Sequence, residues 1–195
     1  RTSTRGVIRA LFPFDGTGDS FFDGRDGRLL EMKARTRTRS DKTDASILFD
    51  YDKAEALYTD HLKPKRSTVL PVPDGQFSDF ITALIEARRW NLLPGQSREV
   101  QVLFDDQFYH LNITAERIET IHTDTGKKSA LLLIPRMVGK PKGMFRKGGE
   151  VRVWISDDEQ HLPLRFEVKL PVGTAVALLT AHTDPVGPQV AMIGQ

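Results

Sequence analysis

Apolar and polar positions alternate along most of this chain, and the alternation predicts an antiparallel β protein interrupted by a single helix. Leu30, Met32, Ala34 and Thr36 alternate with Glu31, Lys33, Arg35 and Arg37, which gives a strand with one face buried and the other wet. Ile47, Phe49 and Tyr51 continue the pattern, and Leu57 and Tyr58 mark one more short strand. Further on, Val100, Val102 and Phe104 alternate, and so do Tyr109, Leu111, Ile113 and Ala115. Ala130 to Ile134 is a continuous apolar run, as in a strand covered on both faces. In the last hairpin Val151, Val153 and Ile155 face one way, and Arg152 and Trp154 the other. Leu164, Phe166, Val168 and Leu170 answer them across the turn, and Thr174 to Leu179 makes the final strand.

Turn chemistry supplies the punctuation. Asp26-Gly27 predicts a tight hairpin. Asp15 to Asp19, with two glycines, and Ser40 to Asp44 read as turns, and Ser20 to Asp23 as a short strand after the first of them. Pro64, Pro71 and Pro73 lack the amide hydrogen of a central strand, so Lys63 to Gly75 is a connection or an edge.

The period changes once. Phe77, Phe80, Ile81, Leu84, Ile85 and Arg88 follow helical spacing. Asp74 or Ser78 stands where a cap belongs, Arg88 and Arg89 suit the negative end of the helix dipole, and Pro94-Gly95 stops the helix. About ten strands and one helix give a mainly β fold: a strongly curved antiparallel sheet, a half-barrel or barrel-like arrangement, with the helix against it. Residues 1–181 form one domain and residues 182–195 an extended tail. The apolar stretch Val7 to Phe14 precedes the first turn.

Composition then narrows the chemistry. The net charge of +2 hides near balance between basic and acidic residues, which does not favour a nucleic-acid partner. Two local basic sets stand out. Lys33, Arg35, Arg37 and Arg39 share one strand face, and Lys140, Lys142, Arg146 and Lys147 lie in a glycine-rich loop that is a candidate partner contact. The absence of cysteine removes thiolate catalysis and thiolate metal sites. No stretch is apolar enough for a transmembrane segment. The chain opens on Arg1 rather than Met, so a processed or truncated start is expected, with room for a signal peptide upstream.

Catalytic motifs are not evident. The five histidines are far apart in sequence, and no nucleophile elbow or phosphate loop is present, so neither an enzyme activity nor a cofactor or metal is expected. Asp157-Asp158-Glu159 sits between alternating strands and belongs to a turn before it belongs to any carboxylate site. Trp90, Phe108, Tyr109 and Trp154 are available for stacking on a ligand. Arg152 with Trp154, and Phe80 with Leu84 on the helix, are the candidate ligand-binding residues.

The run from Gly149 to Asp158, the strand entry Leu162-Pro163-Leu164-Arg165-Phe166-Glu167-Val168-Lys169 and the closing Val172-Gly173-Thr174 resemble the end of the DUF3108 family. Phe49-Asp50, Ala83-Leu84-Ile85 with Arg88, and Leu93-Pro94-Gly95 extend the resemblance from about Val7 to Leu179. The family's earlier strands have no counterpart before Val7, so part of the sheet is expected to be missing. The tail after Leu179 also has no counterpart. The resemblance implies an exported bacterial protein of the periplasm or cell envelope, and it carries no catalytic residues. Two roles fit. One is a non-enzymatic binding or carrier module for an apolar or amphiphilic ligand, such as a lipid, held between sheet and helix. The other is a structural or accessory subunit of an envelope assembly, with a protein partner.

Overall fold

A computed structural model of the chain describes residues 2–3, 14–104, 106–124, 126–142, 145–146, 149–170 and 173–182. The stretch Val7 to Pro13, residue Lys147 and the tail beyond His182 lie outside the described residues.

The described strands form two sheets in which neighbours in space are neighbours in sequence. The first holds β1 (Thr2–Ser3), β2 (Phe14–Phe22), β3 (Leu29–Thr38), β4 (Lys42–Asp50), β5 (Glu55–Asp60) and β6 (Thr68–Pro71). The second holds β7 (Ser78–Asp79), β8 (Ser97–Phe104), β9 (Gln107–Thr123), β10 (Gly126–Met137), β11 (Glu150–Ser156), β12 (Pro163–Leu170) and β13 (Gly173–Leu178). All pairings are antiparallel except β7 with β8. The fold is mainly β, with the second sheet curled into a half-barrel around one short helix, as the periodicity predicts.

Two bulges contribute to the curl. Register shifts at Leu132/Leu133 between β9 and β10, and at Trp154/Ile155 between β11 and β12. An extra residue on one strand bends it and increases its twist, so the sheet folds inward at those points. The concave face carries Val102, Tyr109, Leu111, Ile113, Leu133, Val151, Val153 and Ile155, all buried in one core with Ala83 of the helix. On the other face Leu132, Ile134, Trp154 and Leu164 form a second core. The continuous run Ala130 to Ile134 is therefore apolar because both of its faces are covered.

The first sheet packs Ala45, Ile47, Phe49, Ala56 and Tyr58 around Leu103, with Phe108 beside them. Phe77 is the joint of this third core. Its ring lies 5.4 Å from Phe49 and meets Phe108 edge-on at 5.0 Å. Phe77 thus lies outside the helix, although its spacing fits the helical stripe.

Three other sequence expectations change. The segment Asp15 to Asp19 is extended rather than turned, and pairs with Arg37 through Lys33 of β3. Its glycines hide the apolar alternation, and its backbone groups pair in the ladder with β3. The helix α1 spans only Phe80–Ala87 and is capped by Asp79 rather than Asp74 or Ser78. The Asp79 carboxylate accepts the Thr82 amide at 3.1 Å and the Thr82 hydroxyl at 2.6 Å. Finally, the turn expected over Ser40 to Asp44 ends at Asp41, because Lys42, Thr43 and Asp44 already pair with Arg37, Thr36 and Arg35 as the start of β4. The connection Lys63 to Gly75 holds a 3-10 turn, Pro64–Arg66, and the edge strand β6, as its prolines predict. Asp26-Gly27 does form the β2–β3 hairpin, where Gly27 has φ of 76° and Asp26 accepts the Arg28 amide.

Candidate functional site: the groove beneath the helix

The helix places Phe80, Ala83, Leu84 and Ala87 along the stripe that faces the concave sheet. Two of these four positions are alanine, and that choice leaves space. A cavity of about 60 Å³ lies between them and Tyr109, Leu111, Leu133 and Val153, walled almost wholly by apolar groups. Phe80 closes one end by touching both margins of the curled sheet. Its ring is 6.0 Å from Phe104 of β8 and 4.8 Å from Phe166 of β12, edge-on in each case. Phe104 is 40% exposed, so the chamber reaches the surface there.

A second cavity of about 270 Å³ continues beneath the end of the helix and shares Ala87 and Leu133 with the first. Its walls mix Leu92, Ile118 and Ile155 with Arg88, Asn91, Asp157 and His161. The β11–β12 turn latches the helix here. Arg88 donates from Nε and Nη2 to the Gln160 carbonyl at 3.0 and 2.9 Å, and His161 Nδ1 pairs with the Arg88 carbonyl at 3.0 Å. The two cavities adjoin at Ala87 and Leu133 beneath α1, apolar at the Phe80 end and polar at the latch.

Ser156, Asp157, Asp158 and His161 bring a hydroxyl, carboxylates and an imidazole close in sequence, but their bonds hold the turn. The Ser156 hydroxyl donates to Asp158 at 2.7 Å and accepts the Leu162 amide at 2.7 Å. Asp158 also accepts the amides of Gln160 and His161. These donors, the Ser156 hydroxyl foremost, hold the Asp158 carboxyl below the usual carboxylate range. Asp157 accepts from Ser129 across the sheet at 3.1 Å.

The structure separates the sequence-derived ligand residues into two groups. Phe80 and Leu84 line the groove. Arg152 and Trp154 project from the opposite face of β11, as period two demands, and do not meet them. Trp154 is 4% exposed and donates its indole N–H to Glu119 at 2.7 Å, with the Arg165 guanidinium 5.0 Å from its ring centroid. Glu119 also accepts from Arg117 at 2.8 Å. The Trp154 indole first, and Arg117 after it, keep the Glu119 carboxyl below its ordinary value. Arg152 pairs with Glu150.

The glycine-rich loop contributes to the groove. Phe145 lines the apolar chamber and packs 6.0 Å from the Tyr109 ring, while the Lys142 ammonium sits 5.2 Å above that ring. Lys140 and Arg146 are exposed beside it. The other basic set, on β3, is a wet strand face in which Lys33 pairs with Glu31 and Arg35 with Asp44. Trp90 and Tyr109, two of the aromatics available for stacking, line the chamber, whereas Ala83, Ala87 and Phe145 are wall residues that sequence alone did not announce.

The model of a family described as a protein of unknown function, DUF3108, matches residues 1–180. The chain belongs to the DUF3108 family. Comparison with the curated proteins and with the solved structures finds no match. The match takes in every described strand of this DUF3108 chain, the helix and both cavities of the groove. Among the described residues no helix is long and apolar enough to cross a membrane.

Proposed function

We propose that this DUF3108 domain is a non-enzymatic binding or carrier module that holds one apolar chain in the groove beneath α1. The observation that carries this reading is the lining of the inner chamber. Phe80, Ala83, Leu84, Ala87 and the concave strands offer almost no polar surface to whatever enters. An apolar space with few polar groups suits the hydrocarbon part of a ligand, and a polar far end suits its continuation. The small side chains at Ala83 and Ala87 support it further, because a helix serving only as a plug would fill those positions. An exported setting, in the periplasm or cell envelope, completes the proposal and follows from the family resemblance.

Native mass spectrometry of the protein, purified without detergent from a bacterial host, tests it directly. A co-purifying mass in the range of a single-chain or double-chain lipid, lost on organic extraction and regained on reloading, is the expected result. Protein that carries no lipid and takes up none on reloading would sink the reading.

A second role, as an accessory subunit of an envelope assembly, draws on a different surface. Register places Leu48, Leu57 and Val69 side by side on the outer face of the first sheet, each about half exposed, with Phe21 next along the same row beyond Glu31. A contiguous apolar row of this kind is more typical of a covered surface than of a free one. Replacing Leu48 and Leu57 by lysine distinguishes the roles, since it disrupts an assembly and leaves lipid loading intact.

A further inference from the structure

We infer that the groove takes a single-chain anionic amphiphile, with its headgroup held by the basic loop between β10 and β11; this rests on the apolar-chain reading above and names the ligand class. From Val138 to Gly149 the sequence carries Lys140, Lys142, Arg146 and Lys147 and no acidic residue. The same loop delivers Phe145 into the apolar chamber and seats Lys142 over Tyr109, a residue of the chamber wall. Lys142 and Arg146 are therefore held beside the chamber wall, by Tyr109 and by the neighbouring Phe145. Lys140 and Arg146 form no ion pair with a described residue, whereas Arg152, Arg165, Lys33 and Arg35 are each neutralised by a neighbouring carboxylate.

At Phe104, where the chamber reaches the surface, the adjoining turn carries Asp106 rather than a cation. Inside the chamber no polar group awaits a headgroup, which must stay outside while the chain threads toward Ala87 and Leu133. A carboxylate or phosphate held outside an apolar mouth, beside Lys140, Lys142 and Arg146, is the arrangement that lowers the free energy of both halves of an anionic amphiphile. Fatty carboxylates and lysophospholipid phosphates share this chemistry.

The test compares laurate, lauroyl lysophosphatidylglycerol and uncharged dodecyl maltoside, titrated below their micellar concentrations into the delipidated full chain. The expected result is about tenfold tighter binding of the two anions than of the maltoside at low salt, shrinking as salt screens the exposed cations. The combined variant Lys140→Glu, Lys142→Glu, Arg146→Glu should bring the affinity ratio of laurate to maltoside close to one. Equal affinity of the wild-type chain for charged and uncharged probes overturns the headgroup assignment and leaves the apolar-chain reading standing. So does a preference for anions that survives both salt and charge reversal. Failure of all three probes to bind overturns both readings together, and binding of laurate only distinguishes a free fatty acid from a lysophospholipid.

Discussion

Filling the chamber from the helix side should push stability and binding in opposite directions. Ala83 is 9% exposed, faces the concave sheet and borders a cavity of about 60 Å³. Ala83→Leu adds three carbons at that point. At about 0.8 kcal/mol per buried methylene, full accommodation would stabilise the fold by about 2 kcal/mol. Over-packing opposes this by roughly 1–3 kcal/mol where no space exists. Space does exist beside Ala83, so a net gain of about 1 kcal/mol is expected. Alanine and leucine are both strong helix formers, which leaves the propensity of α1 nearly as it is. For a domain of this size the gain corresponds to a Tm increase of roughly 2–4 °C.

On the proposed binding role, the same side chain would take the place of a bound hydrocarbon chain. Each methylene kept out of the chamber removes about 0.8 kcal/mol of binding, so excluding two raises Kd about fifteenfold. Urea denaturation of the lipid-free protein measures the first effect, and displacement of a fluorescent fatty acid by laurate measures the second. A variant destabilised by 1 kcal/mol or more, with laurate affinity unchanged, would refute the reasoning, because the volume would then be neither free nor used.

Three other perturbations probe the framework. Asp79→Ala removes the cap that bonds both the amide and the hydroxyl of Thr82, and should destabilise by about 1–2 kcal/mol, read from urea midpoints; a loss of laurate binding should accompany it, since eight-residue α1 depends on its start. Trp154→Phe breaks the indole bond to the Glu119 carboxylate and should cost about 1.5–3 kcal/mol, yet leave laurate affinity within about twofold, because that face of β11 is turned away from the groove. Asp158→Asn tests the latch turn through pH. The folded carboxyl lies below its unfolded value of about 3.9, so its contribution is complete above that pH and is lost as pH falls through the folded value. Thermal melts should therefore show wild type and variant well apart at neutral pH and converging in strong acid; a constant gap would rule out the carboxylate as the cause.

The β architecture was legible because alternation reports a one-sided environment. Val151, Val153 and Ile155 against Arg152 and Trp154 have only one way to lie on a strand, and the structure puts them there. The alternation did not say which face was concave. Arg152 and Trp154 resemble a ligand pair because an aromatic beside a cation suits an amphiphile. The convex face uses the same pairing to bury an indole between Glu119 and Arg165. Phe77 misled for a related reason. Its spacing fits the helix, but β7 takes up Ser78 and Asp79, so the helical period starts three residues later at Phe80.

The groove itself left its signal in the small residues rather than the large ones. Phe80 and Leu84 mark the helix stripe in any reading, and a stripe of bulky residues throughout would describe a plug. Ala83 and Ala87 interleave with them, and the space exists where a side chain is lacking. Phe145 had no periodicity to reveal it, since it stands in a loop between two strands. Its place in the wall depends on curvature that two bulges help to set. The curl draws β8 and β12 toward each other until Phe104 and Phe166 both meet Phe80, and the loop before β11 comes over Tyr109. A basic loop that the sequence offers only as a partner contact thus comes to lie beside an apolar chamber, because the strands beneath it bend.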